Sequence, residues 1–528
     1  MISNEEFDKI SKEFFYRVLD YNPTYGTFLG LHEYDDKMPS LKREVILEEI
    51  KALKHYLKIF EEMNETPLDQ DRKLDRKLAI DIIKREIFEL DELRTWEKDP
   101  GAAELLGNSI FPLFTRDFAP FDERMKNIIK RLEKSPQILE DIKENIKSPV
   151  KLWVEIAIES CQGLPNFLNQ IESSVKDENL KTRMKRAADK LNISLEEYVG
   201  WLKSLIPRSE ENFAIGKEKF DRLLELRGLW KRERILELGE TTLKAQKKEL
   251  IKICKGIDPD SKWEDTVEKV KSEAPDSFEE ALECYRKETQ RAREFIKEKD
   301  LLTLPENEEL IITETPEFTR NTIPFAALFP PAKFDKKQQS IYIVTPYEEK
   351  EMLKEHSYPS IINTSVHEAY PGHHVQLSCA NTNDSCIRIL SQATEFVEGW
   401  AHYCEELMRE KNFSHDPKVD LMRTLDIIWR ACRIIIDIKL SCNEMSFNEA
   451  VEFLVANTGM KEQAAIAEVK RYTQTPSYAL SYLLGKHMIK ELKKECKEFK
   501  GFSEKEFHDK MLYAGSLPIK YQRVLLMR

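Results

Sequence analysis

A chain of 528 residues with 34% charged and 41% apolar residues has a soluble globular profile, and it is long enough for a large core and more than one domain. Its 95 acidic residues outnumber 83 basic ones. The net charge of −12 offers no basic field to a phosphate backbone, so no nucleic-acid partner is expected.

The first stretch, "MISNEEFDKISKEFFYRVLD", sets acids among apolar residues at helical spacing and lacks the basic and apolar regions of a signal peptide. No apolar run approaches ~20 residues, so no membrane span is expected. Nine cysteines, an odd count without a CxxC pair, point to reduced thiols and a cytoplasmic location. With only 16 glycines, helix is favoured over a turn-dense β fold. Residues 1–301 read as an N-terminal helical region; in "LAIDIIKREIFEL", Ile80, Ile83, Ile87 and Leu90 recur at spacings of 3 and 4. "DYNPTYGTFLG" and "EKDPGAAELLGNSIFP" carry the punctuation of loops. No repeat of fixed period is visible, which excludes a solenoid.

The pattern changes at residue 302, where Pro305, Pro316, Pro324, Pro330 and Pro331 rule out a long helix. "ELIIT", "FAALF" and "SIYIVTP" are β-like, the last alternating as a strand from Ser340 to Thr345. Helical patterning resumes to the C-terminus. The expected architecture is mainly α, with a small sheet beside a metal-binding helix in a catalytic region, residues 302–528, that continues residues 1–301 as one structural unit.

"NTSVHEAYPGHHVQL", residues 363–377, places His367 and Glu368 side by side, as a zinc-peptidase helix does, but puts Pro371 where HExxH needs its second histidine. On a regular helix His373, at i+6, points ~120° from His367, and His374, at i+7, lies ~10.5 Å along the axis. Neither makes a chelate with His367. Pro371 changes this, because it has no N–H for the His367 carbonyl and drives Tyr370 out of the α region, while Gly372 tolerates a bulge. An interrupted helix can bring a second imidazole back to one zinc ion. The bland alternative is a satisfied core histidine followed by surface ones.

A catalytic zinc site needs a third ligand, normally a carboxylate on a neighbouring helix. "SQATEFVEGWAHYCEELMRE" offers Glu395, Glu398, His402 and Glu405 on one face, which is equally the pattern of a solvated stripe opposite Val397, Trp400, Ala401, Cys404 and Met408. His402 is a candidate partner for a ligand such as Glu398. Glu368, next to a ligand, suits a general base that takes a proton from a metal-activated water. Tyr478 and Tyr482 in "TPSYALSY" are candidates for stabilising the oxyanion, against the plain reading that they only pack.

"HEAYPGHHVQ", "EGWAHYCEEL", "IPFAALFPPAKFDKKQQSIYIVTP", "PSYALSYLLG" and "FHDKMLYAGSLP", with "NPTYGTFLGLHEYDDKMPS" and "EKDPGAAELLG" nearer the N-terminus, together resemble domain of unknown function 885, whose members resemble gluzincin-type zinc metallopeptidases. The resemblance implies a mostly helical, two-lobed molecule with a deep groove, His367 and Glu398 among the metal ligands and Glu368 as general base. Its pattern contains both histidines; His373 needs the smaller bulge, which leaves His374 to contact substrate or metal. It also implies that "SIYIVTP" is an edge strand that pairs with an extended peptide. Ser477 and Tyr478 stand where the family has glycine and glutamine, which leaves Tyr482 the better catalytic tyrosine.

The expected activity is zinc-dependent hydrolysis of short peptides, with manganese or cobalt as substitutes for zinc. Arg320, Arg471 and Lys486 are candidates to hold a C-terminal carboxylate. The alternatives are hydrolysis of a non-peptide amide and a non-catalytic helical metal-binding protein.

Overall fold

The computed structural model describes residues 3–315, 320, 323, 325–346 and 350–528; the expected helix breakers Pro316 and Pro324 lie outside them. The chain forms two compact units, Met1–Phe213 with Ala332–Lys337, and Ala214–Pro331 with Gln338–Arg528. The change of pattern at residue 302 marks entry into the sheet. The boundary between compact units falls earlier, because the helices from residue 214 to 298 pack within the second unit.

The first unit consists of helices α1 (Asn4–Tyr21), α2 (Pro23–Phe28), α3 (Arg43–Glu62), α4 (Gln70–Ile87), α5 (Ala103–Thr115), α6 (Phe121–Asn145), α7 (Lys151–Ser174) and α8 (Glu178–Leu205). Ser3 and Glu6 start α1 with a reciprocal capping box that satisfies two otherwise orphaned N–H groups. On α4 the buried stripe is Leu74, Leu78, Ala79, Ile82 and Ile83, whereas Ile80, Ile87 and Leu90 are half-buried. The buried stripe shares Ile83 with the expected one but is rotated by about a third of a turn from it, and the helix widens into a π turn from Phe88 to Leu93.

The second unit contains α9 (Lys217–Arg227), α10 (Arg232–Ile257), α11 (Trp263–Lys271), α12 (Phe278–Glu298), β1 (Glu308–Glu314), β2 (Ala326–Phe329) and β3 (Gln338–Val344). It continues through α13 (Tyr358–Glu368), α14 (His373–Ala380), α15 (Cys386–Leu390), α16 (Thr394–Glu410) and α17 (Pro417–Ser441). The last helices are α18 (Phe447–Thr458), α19 (Glu462–Gln474), α20 (Ser481–Cys496), α21 (Glu504–Tyr513) and α22 (Ile519–Leu526). A mainly α fold with one small sheet is therefore what this sequence forms. Phe396, Trp400, Ile434 and Leu484 are fully buried in its core, where the long helices bury apolar faces that could not form stable helices alone.

The three expected strands all form, but their order is β1–β3–β2, with β1 parallel and β2 antiparallel to β3. β3, which contains "SIYIV", is therefore central and not the expected edge strand. Tyr342, Ile343 and Val344 are buried on both of its faces, as a strand flanked on both sides requires. The unpaired edges among the described strands belong to β1 and β2.

The segment 332–337 is fastened within the first unit. Phe334 N–H donates to the Leu29 carbonyl at 2.8 Å, and His32 lies between Asp35 and Asp335, 2.9 Å from each. Hydrogen bonds donated by His32 to Asp335 and then to Asp35 raise it from 6.5 to about 9. A raised folded-state value stabilises the fold fully below pH 6.5, and the contribution disappears as the pH rises through about 9. Melting temperatures measured across this interval should fall more steeply for the wild type than for His32→Gln; parallel profiles would contradict the bridging role.

Candidate metal centre

α13 carries Pro359 in its first turn, where a missing N–H is harmless, and ends at Glu368. Ala369 N–H closes the last turn on Ser365 O, and Pro371 follows with no donor. Gly372 then turns the chain so tightly that its N–H donates to Val366 O at 3.1 Å. A Cβ at Gly372 would stand 1.9 Å from the His367 carbonyl oxygen, so no residue with a side chain fits there. The Pro371 carbonyl is tied to α16 by the Trp400 indole N–H at 2.9 Å. α14 starts immediately afterwards, at His373.

This break brings His367 and His373 together, with ring centroids 4.8 Å apart and planes at 88°. Glu398 Oε2 lies 3.3 Å from His373 Nε2 and 3.8 Å from His367 Nε2. Ligand atoms held ~2.0 to 2.1 Å from one tetrahedral centre are ~3.3 Å apart, so Glu398 Oε2 stands at that spacing from His373 and 3.8 Å from His367. Glu398 Oε2 is buried without a hydrogen-bond partner, while its other carboxylate oxygen accepts from the Tyr478 hydroxyl at 3.0 Å. An unpartnered buried carboxylate oxygen aimed at two imidazoles fits a cation. Glu368, half-buried, offers an oxygen within 4.8 Å of ligand atoms on both histidines.

A second layer orients His367. Its Nδ1 is 2.8 Å from Glu405 Oε1, and the same oxygen accepts from Arg430 Nη2 at 2.9 Å. Since a carboxylate only accepts, Nδ1 carries the proton and Nε2 keeps its lone pair for the centre. Arg430 also faces Asp426, 3.9 Å away, which accepts from Asn363 at 2.7 Å.

The same contacts set the electrostatics. Burial raises Glu398, but His373, His367 and the Tyr478 hydroxyl outweigh it and hold the carboxyl at about 2. Burial pushes Glu368 above the usual carboxylate range, opposed by His373 and His367. Burial also lowers His373, yet the Glu398 charge raises it overall. The Glu398 charge is the first cause of the strong upward shift of Tyr478.

The description "Bacterial protein of unknown function (DUF885)" belongs to a family that matches residues 23–524. The chain is a member of the DUF885 family. Two solved structures share its fold, both with the name "putative lipoprotein". The one from Shewanella oneidensis, of unknown function, is 22% identical with a TM-score of 0.81, over 99% of this chain and 100% of its own. The one from Colwellia psychrerythraea is 17% identical with a TM-score of 0.86, over 100% of this chain and 99% of its own. No curated protein matches the chain.

In this DUF885 chain the structure brings together His367, His373, Glu398, Glu368, Tyr478 and Tyr482. The Tyr482 ring lies 6.1 Å from that of Tyr478, and its hydroxyl has no protein partner among the described residues. His374 is elsewhere. Its Nδ1 meets Ser340 Oγ and its Nε2 meets Glu308 Oε2, each at 2.8 Å, so both nitrogens are spent tying α14 to β3 and β1. His402 is not the partner of Glu398 either; its Nδ1 is 3.6 Å from Glu405 Oε2, too far for a hydrogen bond. Burial, with Lys486 nearby, lowers its pKa far below the ordinary range and keeps it neutral.

The α16 stripe is not a solvated face, since Glu395, Glu398, His402 and Glu405 are all buried. Glu395 pairs with Arg227 at 3.0 Å. Glu398 takes its partner from the Tyr478 hydroxyl instead, and Glu405, one turn beyond His402, holds His367. Arg430 was not anticipated from the sequence, although two arginines, Arg430 and Arg433, inside the apolar run "DIIWRACRIII" signal buried pairs.

The position of α16 depends on α20. A Cβ at Gly399 would stand 2.5 Å from the Gly485 carbonyl carbon, and one at Gly485 would stand 1.8 Å from the Glu395 carbonyl oxygen. Gly485→Ala gains ~1 kcal/mol of helix propensity but must separate two backbones, at a cost of ~1 to 3 kcal/mol or more. Urea denaturation should show a lower midpoint for Gly485→Ala; an unchanged or higher midpoint would contradict this close approach.

Proposed function

We propose that the protein is a zinc-dependent peptidase of gluzincin-like type that cleaves short peptides. The observation that carries this reading is the convergence of two imidazole nitrogens on the unpartnered Oε2 of Glu398, with the Glu368 carboxylate beside them. A structural metal site needs no such free carboxylate. His367 Nε2, His373 Nε2 and Glu398 Oε2 would hold one zinc ion, and two histidines with a glutamate is a donor set that zinc favours.

Zinc, when bound, supplies a Lewis acid that polarises a carbonyl and acidifies a water molecule. Glu368 takes the proton from the attacking water and hands it to the leaving amine. Tyr482, whose hydroxyl is uncommitted, donates to the developing oxyanion, whereas Tyr478 is engaged in holding Glu398 in place. Glu405 and Arg430 hold the His367 ring so that its free lone pair faces inward.

Among the described residues no helix is long and apolar enough to cross a membrane. We infer the cytoplasm as the compartment, on the support of nine cysteines without a disulfide.

A mixed peptide library digested with and without chelator, and read by mass spectrometry, tests the activity. Chelator-sensitive cleavage is expected from the wild type and from His374→Ala, but not from His373→Ala. Glu368→Gln should retain one zinc ion per chain and lose at least ~100-fold in rate. Absence of cleavage by the zinc-loaded wild type, or undiminished cleavage by Glu368→Gln, would overturn the proposed mechanism.

A further inference from the structure

Beside the two tyrosines, α17 and α19 carry a cluster of unbalanced charge. Arg433 Nη2 and Arg471 Nη2 donate to one oxygen, Glu468 Oε2, at 3.0 and 2.9 Å, and the Tyr472 hydroxyl donates to the same atom at 2.6 Å. Two guanidinium groups that never lose their charge share one carboxylate, so the cluster stays positive after pairing.

The two arginines are not equivalent. Arg433 is enclosed, its side chain 7% exposed, with its guanidinium carbon 4.1 Å from the Trp429 ring and 4.5 Å from the Tyr482 ring. Arg471 is 41% exposed, and its Nε and Nη1 have no protein partner among the described residues. Its guanidinium carbon is 5.9 Å from the ring of Tyr478, whose hydroxyl rests on Glu398. One tyrosine side chain thus separates a solvent-reachable fork of donors from the candidate metal centre.

We propose that Arg471, backed by Arg433, receives the C-terminal carboxylate of the peptide, so that the protein releases a short fragment from that end. This rests on the peptidase reading above. An arginine fork matches a carboxylate in two parallel hydrogen bonds, and an extended residue covers ~3.3 to 3.6 Å. A short C-terminal run of the peptide beyond the cut bond would therefore cross the Tyr478 side chain to reach the fork. In the reaction, water adds to the carbonyl carbon, the C–N bond breaks and the leaving amine takes the proton carried by Glu368. The released fragment keeps its original carboxylate on Arg471.

The other candidate anchors are committed elsewhere. Lys486 is buried and ion-paired with Glu406 at 2.5 Å, and Arg320 donates to the Thr315 carbonyl at 2.9 Å, just beyond β1.

The test uses the zinc-loaded full chain and matched pairs of short peptides ending in a free carboxylate or an amide. The wild type should favour the acid in kcat/KM by roughly 10- to 100-fold, the worth of a charge-assisted hydrogen bond, and release short C-terminal fragments. Arg471→Gln should bring the acid-to-amide ratio towards one, and Arg471→Lys should leave it intermediate. Calorimetry on metal-free protein gives a readout apart from turnover: a free-acid dipeptide should bind more tightly than its amide. Equal cleavage of acid and amide at internal bonds overturns the anchor and leaves the peptidase reading standing. Cleavage of neither peptide overturns both.

Discussion

The candidate centre depends on one close approach of backbone to backbone. Gly372 passes so near the end of α13 that a methyl group would collide with the His367 carbonyl, and Pro371 beside it withholds the donor that would have continued the helix. The chain therefore leaves α13 directly after Glu368 and re-enters a helix at His373. Two imidazoles that a regular helix would point apart consequently face each other edge to face. The Trp400 indole, by holding the Pro371 carbonyl, ties this loop to the helix that supplies Glu398.

Around that break the buried charges are arranged as a chain of pairs. Asn363 and Arg430 meet Asp426, Arg430 meets Glu405, Glu405 meets His367, and the line stops at the unpartnered oxygen of Glu398. Buried ions are costly unless paired; Glu405 Oε2 and Arg430 Nε and Nη1 in this series also lack hydrogen-bond partners, and what points to a cation is that the Glu398 oxygen faces two imidazole nitrogens. The glycines of α16 and α20 bring the tyrosines into the same neighbourhood, which joins a donor for an oxyanion to the carboxylate that would move protons.

Much of this was legible in the sequence, because proline, glycine and histidine at fixed offsets have few conformational choices. The break between His367 and His373, the three short strands and the helical remainder all follow from local chemistry. What was not legible depends on long-range pairing. Nothing local says that β3 lies between two strands, since alternation looks the same at an edge and in the centre for a strand this short. The α16 stripe read equally as a solvated face because charge spacing on a helix does not reveal what packs against it; only Arg227, Arg430 and the second imidazole, distant in sequence, turn its acids inward. His374 was indistinguishable from His373 by spacing, and its commitment to Glu308 and Ser340 depends on the fold of the sheet.

The most direct test of the account is anomalous diffraction at the zinc absorption edge from crystals of the full chain grown with zinc. The account predicts one strong peak within bonding distance of His367 Nε2, His373 Nε2 and Glu398 Oε2, with Glu368 nearby and His374 still bonded to Glu308. A peak on His374, or no peak beside His367 while zinc occupies another site, would contradict it.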